Sequence, residues 1–276
     1  MEIQPNHHAC PYTQHSTLNP QLTAISSPLI MRLVPLTEFD HIFTPLRGLR
    51  VGVVDGHGNV GDHLIYLATR QLLDAFEVDW ITQGPDGHEP VDKLLLFGGG
   101  NLGSRYTKEL EIRHRTVANA QSRGIPLIVL PQSLMAPEPG PFETVYVRER
   151  ASLQHCPTGV LAPELALGYD YAPPATPAVE PMGMFLRADI ERRVRPFPGT
   201  PDPAKLCRTP GDYLALASRY GHIITDRLHF AICGLLNQRR VTLLPNSYHK
   251  NRSIWETWLS DLGCEWANDP LEVSLN

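Results

Sequence analysis

Ile223-Ile224-Thr225-Asp226-Arg227-Leu228-His229-Phe230-Ala231-Ile232-Cys233-Gly234-Leu235-Leu236 decides how this chain is read. Ile223 to Thr225 make a short apolar strand. An apolar helix follows, and Asp226, Arg227 and His229 stand at the junction. Open α/β sheets place ligands at such junctions, beyond the carboxyl ends of their strands. A helix start offers free backbone N–H groups and the positive end of a dipole, both suited to an anion. Arg227 can fork onto a carboxylate or phosphate, and His229 can move a proton near neutral pH. The plainer reading is a helix cap with a salt bridge and a buried histidine.

Working outward, the same unit recurs. Arg240–Leu244 reads as a strand that ends in Pro245-Asn-Ser-Tyr-His-Lys-Asn-Arg252. Asn251 would cap a helix through Leu262, with Ile254, Trp255, Trp258 and Leu259 as its apolar stripe. Cys264–Trp266 would be a last short strand. Upstream, Thr209-Pro-Gly-Asp212 has the marks of a helix start, with Thr209 as N-cap and Pro210 at the first position. Met182–Arg187 opens this half. Residues 188–207 are charged and irregular, which fits a surface loop or a ligand-binding flap.

Residues 171–181 hold four prolines and read as a semi-rigid linker. They divide an N-terminal α/β domain, 29–170, from a C-terminal α/β domain, 182–276. Strand ends of both would face a common cleft. Residues 29–48 carry no clear pattern. Residues 1–28 are polar and rich in Pro, Ser, Thr and Asn, so a disordered tail is expected there.

In the N-terminal half, Leu49–Asp55 is a strand, Gly56-His-Gly-Asn-Val-Gly-Asp62 a glycine-rich turn, and Leu64–Phe76 a helix. The glycines fit neither the dinucleotide fingerprint nor the P-loop. Either the turn needs glycine for positive φ, or Asn59 and Asp62 present polar groups to a hydroxylated substrate. Glu77–Thr82 and Lys93–Phe97 are further strands, the second apolar enough for a buried parallel sheet. It runs into Gly98-Gly-Gly-Asn-Leu-Gly103, where Gly99, Gly100 and Asn101 would form a second wall of the cleft. A polar helix over 104–123 ends at Gly124. Ile125–Leu130 delivers Pro131-Gln-Ser133 to the same edge, and Thr144–Arg148 delivers Arg148. A surface ion pair between Arg148 and Glu149 is the alternative.

Composition bounds the function. Of 276 residues, 42% are hydrophobic and 19% charged, as in globular proteins, and the formal net charge of −5 argues against a nucleic-acid binder. The five cysteines form no CxxC pair, so neither a zinc site nor a disulfide framework is indicated, and a reducing cytoplasm fits. No apolar run is long enough to span a bilayer.

The ordered set Gly56–Asp62, Gly98-Gly-Gly-Asn-Leu102, Leu130-Pro-Gln-Ser133, Val147-Arg-Glu-Arg-Ala-Ser152, Phe185-Leu-Arg187 and Asp226-Arg-Leu-His-Phe230 resembles the polysaccharide pyruvyl transferase family. The loop Asn246-Ser-Tyr-His-Lys-Asn251 also suits it. The resemblance runs from residue 50 to about 262. It implies two Rossmann-like domains in a GT-B-like arrangement. It also implies transfer of a pyruvyl group from phosphoenolpyruvate to sugar hydroxyls, as a ketal, in exopolysaccharide or cell-surface glycan synthesis. The acceptor would be a sugar, a nucleotide-sugar or a lipid-linked oligosaccharide. The last would place the protein peripherally at the inner face of the cytoplasmic membrane. Arg227 and His229 are the implied catalytic pair, with His229 as general acid. Arg148, Arg187, Arg227, Lys250 and Arg252 all lie at or after strand ends and are candidates to hold the donor. Asn59, Asp62 and Asn101 are candidates for the acceptor side. Neither a cofactor nor a metal is expected. Two other readings stay open: a nucleotide-sugar glycosyltransferase of GT-B type, and a non-catalytic sugar- or anion-binding protein.

Overall fold

The computed structural model describes residues 31–103, 106–195 and 197–273. The tail expected over 1–28 lies outside these residues. The stretch that the sequence leaves unassigned forms helical turns at Leu36–Phe39, Asp40–Phe43 (α1) and Thr44–Leu46. Its pattern is too short to show a helical period, yet Phe39, Ile42, Phe43 and Leu46 are all buried.

The first sheet holds β1 (Arg50–Val54), β2 (Asp79–Thr82), β3 (Lys93–Leu96), β4 (Gly99–Leu102), β5 (Leu127–Leu134), β6 (Phe142–Val147) and β7 (Val160–Leu161). Every pairing in it is parallel, in the order β2-β1-β3-β5-β6-β7. Parallel sheets need both faces covered, and the strands accordingly read as apolar runs. β5 is long enough to take β3 along its first half, Leu94 opposite Leu127, and β4 along its second, Gly99 opposite Gln132. The glycine run is therefore a strand edge rather than a loose turn. α2 (Val60–Ala75) and α3 (Thr107–Arg123) are the long helices here, and α3 ends at Gly124 in the left-handed region.

The second sheet is β11-β10-β9-β8, again all parallel, built from β8 (Glu180–Phe185), β9 (Tyr220–Thr225), β10 (Arg240–Leu243) and β11 (Glu265–Trp266). Its helices are α4 (Pro203–Leu206), α5 (Pro210–Ser218), α6 (Leu228–Leu236) and α7 (Lys250–Ile254), the last followed by a π-helical turn at Trp255–Leu259. Thr209 is the N-cap of α5 that the sequence predicts, and Asp212 returns the bond to complete a reciprocal cap. α6 is apolar all round and is buried apart from His229. Phe230 packs against Phe185 and Tyr213, which fixes the helix on the sheet. The architecture is mixed α/β and Rossmann-like. Met31 bridges to Tyr171, and β8 starts at Glu180, so the proline-rich stretch is ordered at both ends.

Candidate active site

The carboxyl ends of both sheets open on one cleft of about 240 Å³. Its near wall is the start of α2. Asn59 is the N-cap, its Oδ1 accepting from Gly61 N at 2.9 Å, while Asp62 Oδ2 accepts from Asn59 N at 2.7 Å. Both residues line the cleft as well as capping the helix. Only Gly58 in this turn has a positive φ, +39°. Gly61 is required for space instead, since a Cβ there would fall 2.9 Å from His229 Nδ1.

The second wall is β4. Gly100 and Asn101 line the cleft. A side chain at Gly100 would strike Arg148, with its Cβ 2.5 Å from Nη2. Asn101 Oδ1 accepts from the buried Arg113 Nη1 at 3.0 Å, so the amide is held in place. Gly99, expected on this wall, is buried and does not line the cleft.

Arg148 follows β6. It is wholly buried, which overturns the surface pair with Glu149 as its role. Its Nη1 is paired with Glu164, its Nε donates to Ser133 Oγ at 2.8 Å, and Glu149 Oε2 lies 3.8 Å away. Burial works against its charge, but Glu164 and Glu149 outweigh that and keep the guanidinium protonated. Glu164 stands between Arg148 and His229, with its Oε1 3.8 Å from His229 Nε2. Burial raises the Glu164 carboxyl, yet Arg148 and then His229 outweigh it and hold it at about 2. His229 Nε2 is buried without a hydrogen-bond partner, while the side chain keeps 12% of its surface exposed. The exposed part of the ring is therefore not Nε2, and Nδ1 is the nitrogen on the Gly61 side.

Across the cleft, Arg187 follows β8 and Arg227 follows β9. Arg187 Nη1 meets Glu191 Oε2 at 2.5 Å, and its Nε meets Asp189 Oδ1 at 2.8 Å. Arg227 forks onto Asp202, with Nε–Oδ1 at 3.0 Å and Nη2–Oδ2 at 2.6 Å, and its Nη1 reaches Asp189 Oδ2 at 2.8 Å. Lys250 Nζ lies 2.6 Å from Glu191 Oε2, and Tyr106 donates its hydroxyl to Glu191 Oε1 at 2.6 Å. Burial raises the Glu191 carboxyl, but Lys250 and Arg187 outweigh it and hold the group far below the usual range. Lys250 is pulled below its usual value by burial, with Glu191 opposing.

The structure thus gathers Arg148, Arg187, Arg227, Lys250, His229, Asn59, Asp62, Gly100 and Asn101 at one cleft. Arg252 is corrected. It is exposed, pairs with Glu256 Oε1 at 2.6 Å and lies over the Trp255 and Trp266 rings, because two residues after the cleft residue Lys250 is about half a helical turn, which puts it on the outer face. Asn251 does not cap a helix from outside. It sits within α7, and its Nδ2 donates to Asp226 O and Leu244 O. Asp226 does not cap α6 either. Its Oδ1 accepts from Arg187 N at 2.7 Å and ties the ends of β8 and β9 together.

Sequence reading missed the carboxylates Glu109, Glu164, Asp189, Glu191 and Asp202, and Tyr106. Asp189 and Glu191 follow a strand-end arginine at i+2 and i+4, a spacing that lets one short loop fold back on Arg187. Glu164 carries no local signal, because its partners are strands and helices away.

A family model for polysaccharide pyruvyl transferase matches residues 59–248. The chain belongs to the polysaccharide pyruvyl transferase family. The match runs from the Asn59 cap to Tyr248, whose hydroxyl bonds Gly100 O at 3.0 Å across the cleft. Membership assigns a role in pyruvyl transfer in polysaccharide biosynthesis. No match is found among curated proteins. Among solved structures, an uncharacterized protein of Klebsiella pneumoniae superposes with a TM-score of 0.69 at 20% identity. The alignment covers 84% of this chain and 98% of that one, which shows a shared fold. A galactofuranose binding protein reaches a TM-score of only 0.32 at 6% identity, over 71% and 75% of the two chains. Among the described residues, no helix is long and apolar enough to cross a membrane.

Proposed function

We propose that this protein moves the pyruvyl group of phosphoenolpyruvate onto two hydroxyls of a sugar and closes a cyclic ketal, in the synthesis of an exopolysaccharide or cell-surface glycan. The observation that carries this reading is the convergence of Arg148, Arg187, Arg227 and Lys250 on one cleft beside His229. Phosphoenolpyruvate carries a carboxylate and a phosphate on one small frame, and fixed cations on both sides suit it. Arg187, Arg227 and Lys250 hold the donor. Asn59 and Asp62 face the acceptor.

In this reading His229 gives a proton to the methylene carbon of the enol. The adjacent carbon, which bears the phosphate, becomes electrophilic. A sugar hydroxyl adds to it and loses its proton. The carbon–oxygen bond to phosphate then breaks, and a second hydroxyl takes its place with loss of another proton. The products are the ketal and inorganic phosphate. Phosphoenolpyruvate is a co-substrate, and neither a cofactor nor a metal enters the scheme. We read the two sheets as Rossmann-like domains, 29–170 and 182–276, joined through 171–181 around the cleft as in GT-B enzymes. The acceptor is a sugar, nucleotide-sugar or lipid-linked oligosaccharide of the cytoplasm.

The test is incubation with phosphoenolpyruvate and a panel of sugar acceptors, read by product mass and phosphate release. In deuterated solvent the product methyl group should carry deuterium. His229→Gln should bind the donor normally and lose about 10²–10⁴-fold in turnover. Product without deuterium would point to another chemistry, and full turnover in a folded variant would remove His229 from the reaction.

A further inference from the structure

The loop after β8 has two unlike sides. Its neck is closed by Leu186 N bonding to Pro201 O at 3.1 Å and Ala188 N to Asp202 Oδ2 at 2.8 Å. Val194 is buried beneath it, and Ser247 N bonds to Glu191 O at 2.9 Å. All three acids of residues 188–208 are paired with cations of the cleft: Asp189 and Asp202 with Arg227, Glu191 with Lys250. The next acid, Asp212, is bound into the cap of α5.

Of the exposed charged side chains in this segment, all but Asp189 are cationic. Arg192, Arg193, Arg195, Lys205 and Arg208 are all exposed. They sit on a chain whose formal net charge is −5, so this is a local concentration of positive charge. Among them stand Ile190, 57% exposed, Phe197, 36%, and Leu206, 57%. These are three of the seven large exposed hydrophobic side chains among the described residues, gathered within seventeen positions.

We propose that these exposed basic and apolar side chains dock the protein on an anionic phospholipid surface. Basic side chains are drawn to anionic headgroups, and apolar side chains enter the headgroup–acyl boundary. A soluble polyanion would use the arginines and leave Ile190, Phe197 and Leu206 in water, so the mixed face favours a bilayer. Asp189 and Glu191 belong to the same loop and line the cleft, so docking sets the cleft beside the membrane.

The experiment is flotation of the full chain with vesicles of mixed phosphatidylglycerol and phosphatidylcholine, against vesicles of phosphatidylcholine alone. The full chain should float with the first and stay behind with the second, and raised salt should weaken the association. Arg192→Ala/Arg193→Ala/Arg195→Ala should bind the anionic vesicles about 100-fold more weakly. Phe197→Ser/Leu206→Ser should bind about 10-fold more weakly with the charges intact. Far-ultraviolet circular dichroism confirms that each variant is folded. Absence of flotation by the full chain would overturn the proposal. So would unchanged binding of a folded triple-arginine variant. Wild-type binding by the serine variant, with full competition by soluble polyphosphate, would reduce the face to a simple polyanion site and overturn the membrane assignment.

Discussion

Gly61→Ala tests the geometry of the proposed general acid directly. Gly61 lies in the first turn of α2 and has no positive φ, so its backbone tolerates alanine. The added Cβ would stand 2.9 Å from His229 Nδ1, 3.0 Å from His229 Cβ and 3.2 Å from Asn59 Oδ1. Non-bonded heavy atoms settle at about 3.5 Å or more, so the ring must give way by roughly half an ångström. α6 cannot retreat with it, because Phe230 is locked between Phe185 and Tyr213 at centroid distances of 4.8 and 5.1 Å. The imidazole therefore swings. Alanine gains about 1 kcal/mol over glycine inside a helix, and overpacking costs about 1–3 kcal/mol, so stability should fall by only about 0–2 kcal/mol. A catalytic group displaced by 1 Å can cost about 10²-fold in rate, so half that displacement should cost about 10-fold or more. Turnover of phosphoenolpyruvate, donor affinity and thermal unfolding separate the effects. Turnover should drop while donor affinity stays, since none of the four cations is touched. A folded variant with wild-type turnover would refute the placement of His229 against Gly61.

Two further outcomes follow from the charged groups. Arg227→Ala should weaken phosphoenolpyruvate binding by about 2–5 kcal/mol in calorimetric titration, because a charged fork is lost and Asp202 is stranded; unchanged affinity would leave Arg227 a structural partner of Asp202. Asp226 is raised by burial to about 6 from its ordinary 3.8, against the Arg187 N–H, so folding favours its protonated form. That stability is fully present below about pH 4 and is lost as pH rises through about 6. Asp226→Asn should therefore gain up to roughly 3 kcal/mol over wild type in urea unfolding near pH 8, and no such gain near pH 4. A difference that does not change with pH would show that the carboxyl is not responsible.

The parallel sheets were legible because they are buried on both faces. Runs such as Leu94, Leu95 and Leu96, or Ile223 and Ile224, admit few other readings. The cationic side of the site was legible for a related reason, since Arg148, Arg187 and Arg227 each follow a strand. Arg252 failed because chain proximity to a strand end does not fix the face of a helix, and α7 turns it outward. The carboxylates failed differently. Glu164 meets Arg148 across β7 and meets His229 only once α6 is in place, and no periodic pattern records such meetings. The first turn of α2 shows a third case. Its glycines were visible, but the reason for Gly61 is a histidine 168 positions away in the chain.

If phosphoenolpyruvate is the donor, charge balance in the cleft points to a carboxylate that yields to it. Arg148, Arg187, Arg227 and Lys250 face Asp62, Glu109, Asp189 and Glu191, so the lining is formally neutral before any anion enters. A donor with a carboxylate and a phosphate needs an excess of cation. Asp62 is bound into the α2 cap, Glu109 accepts from Gly58 N at 3.3 Å, and Glu191 is buried with Lys250, Arg187 and Tyr106. Asp189 differs. Its side chain is 37% exposed, and it bridges Arg187 and Arg227 with the geometry an incoming carboxylate would use. For the proposed donor, Asp189 would be an internal occupant of the site that binding has to displace. Asp189→Asn keeps the shape and removes the charge. It should tighten phosphoenolpyruvate binding by about 10-fold, or about 1.4 kcal/mol, because both guanidiniums are released to the ligand. The gain should shrink at high salt, where the arginines are screened in both proteins. Weaker binding in a folded Asp189→Asn variant would refute this displacement, and would mean that Asp189 orients the two arginines for the donor.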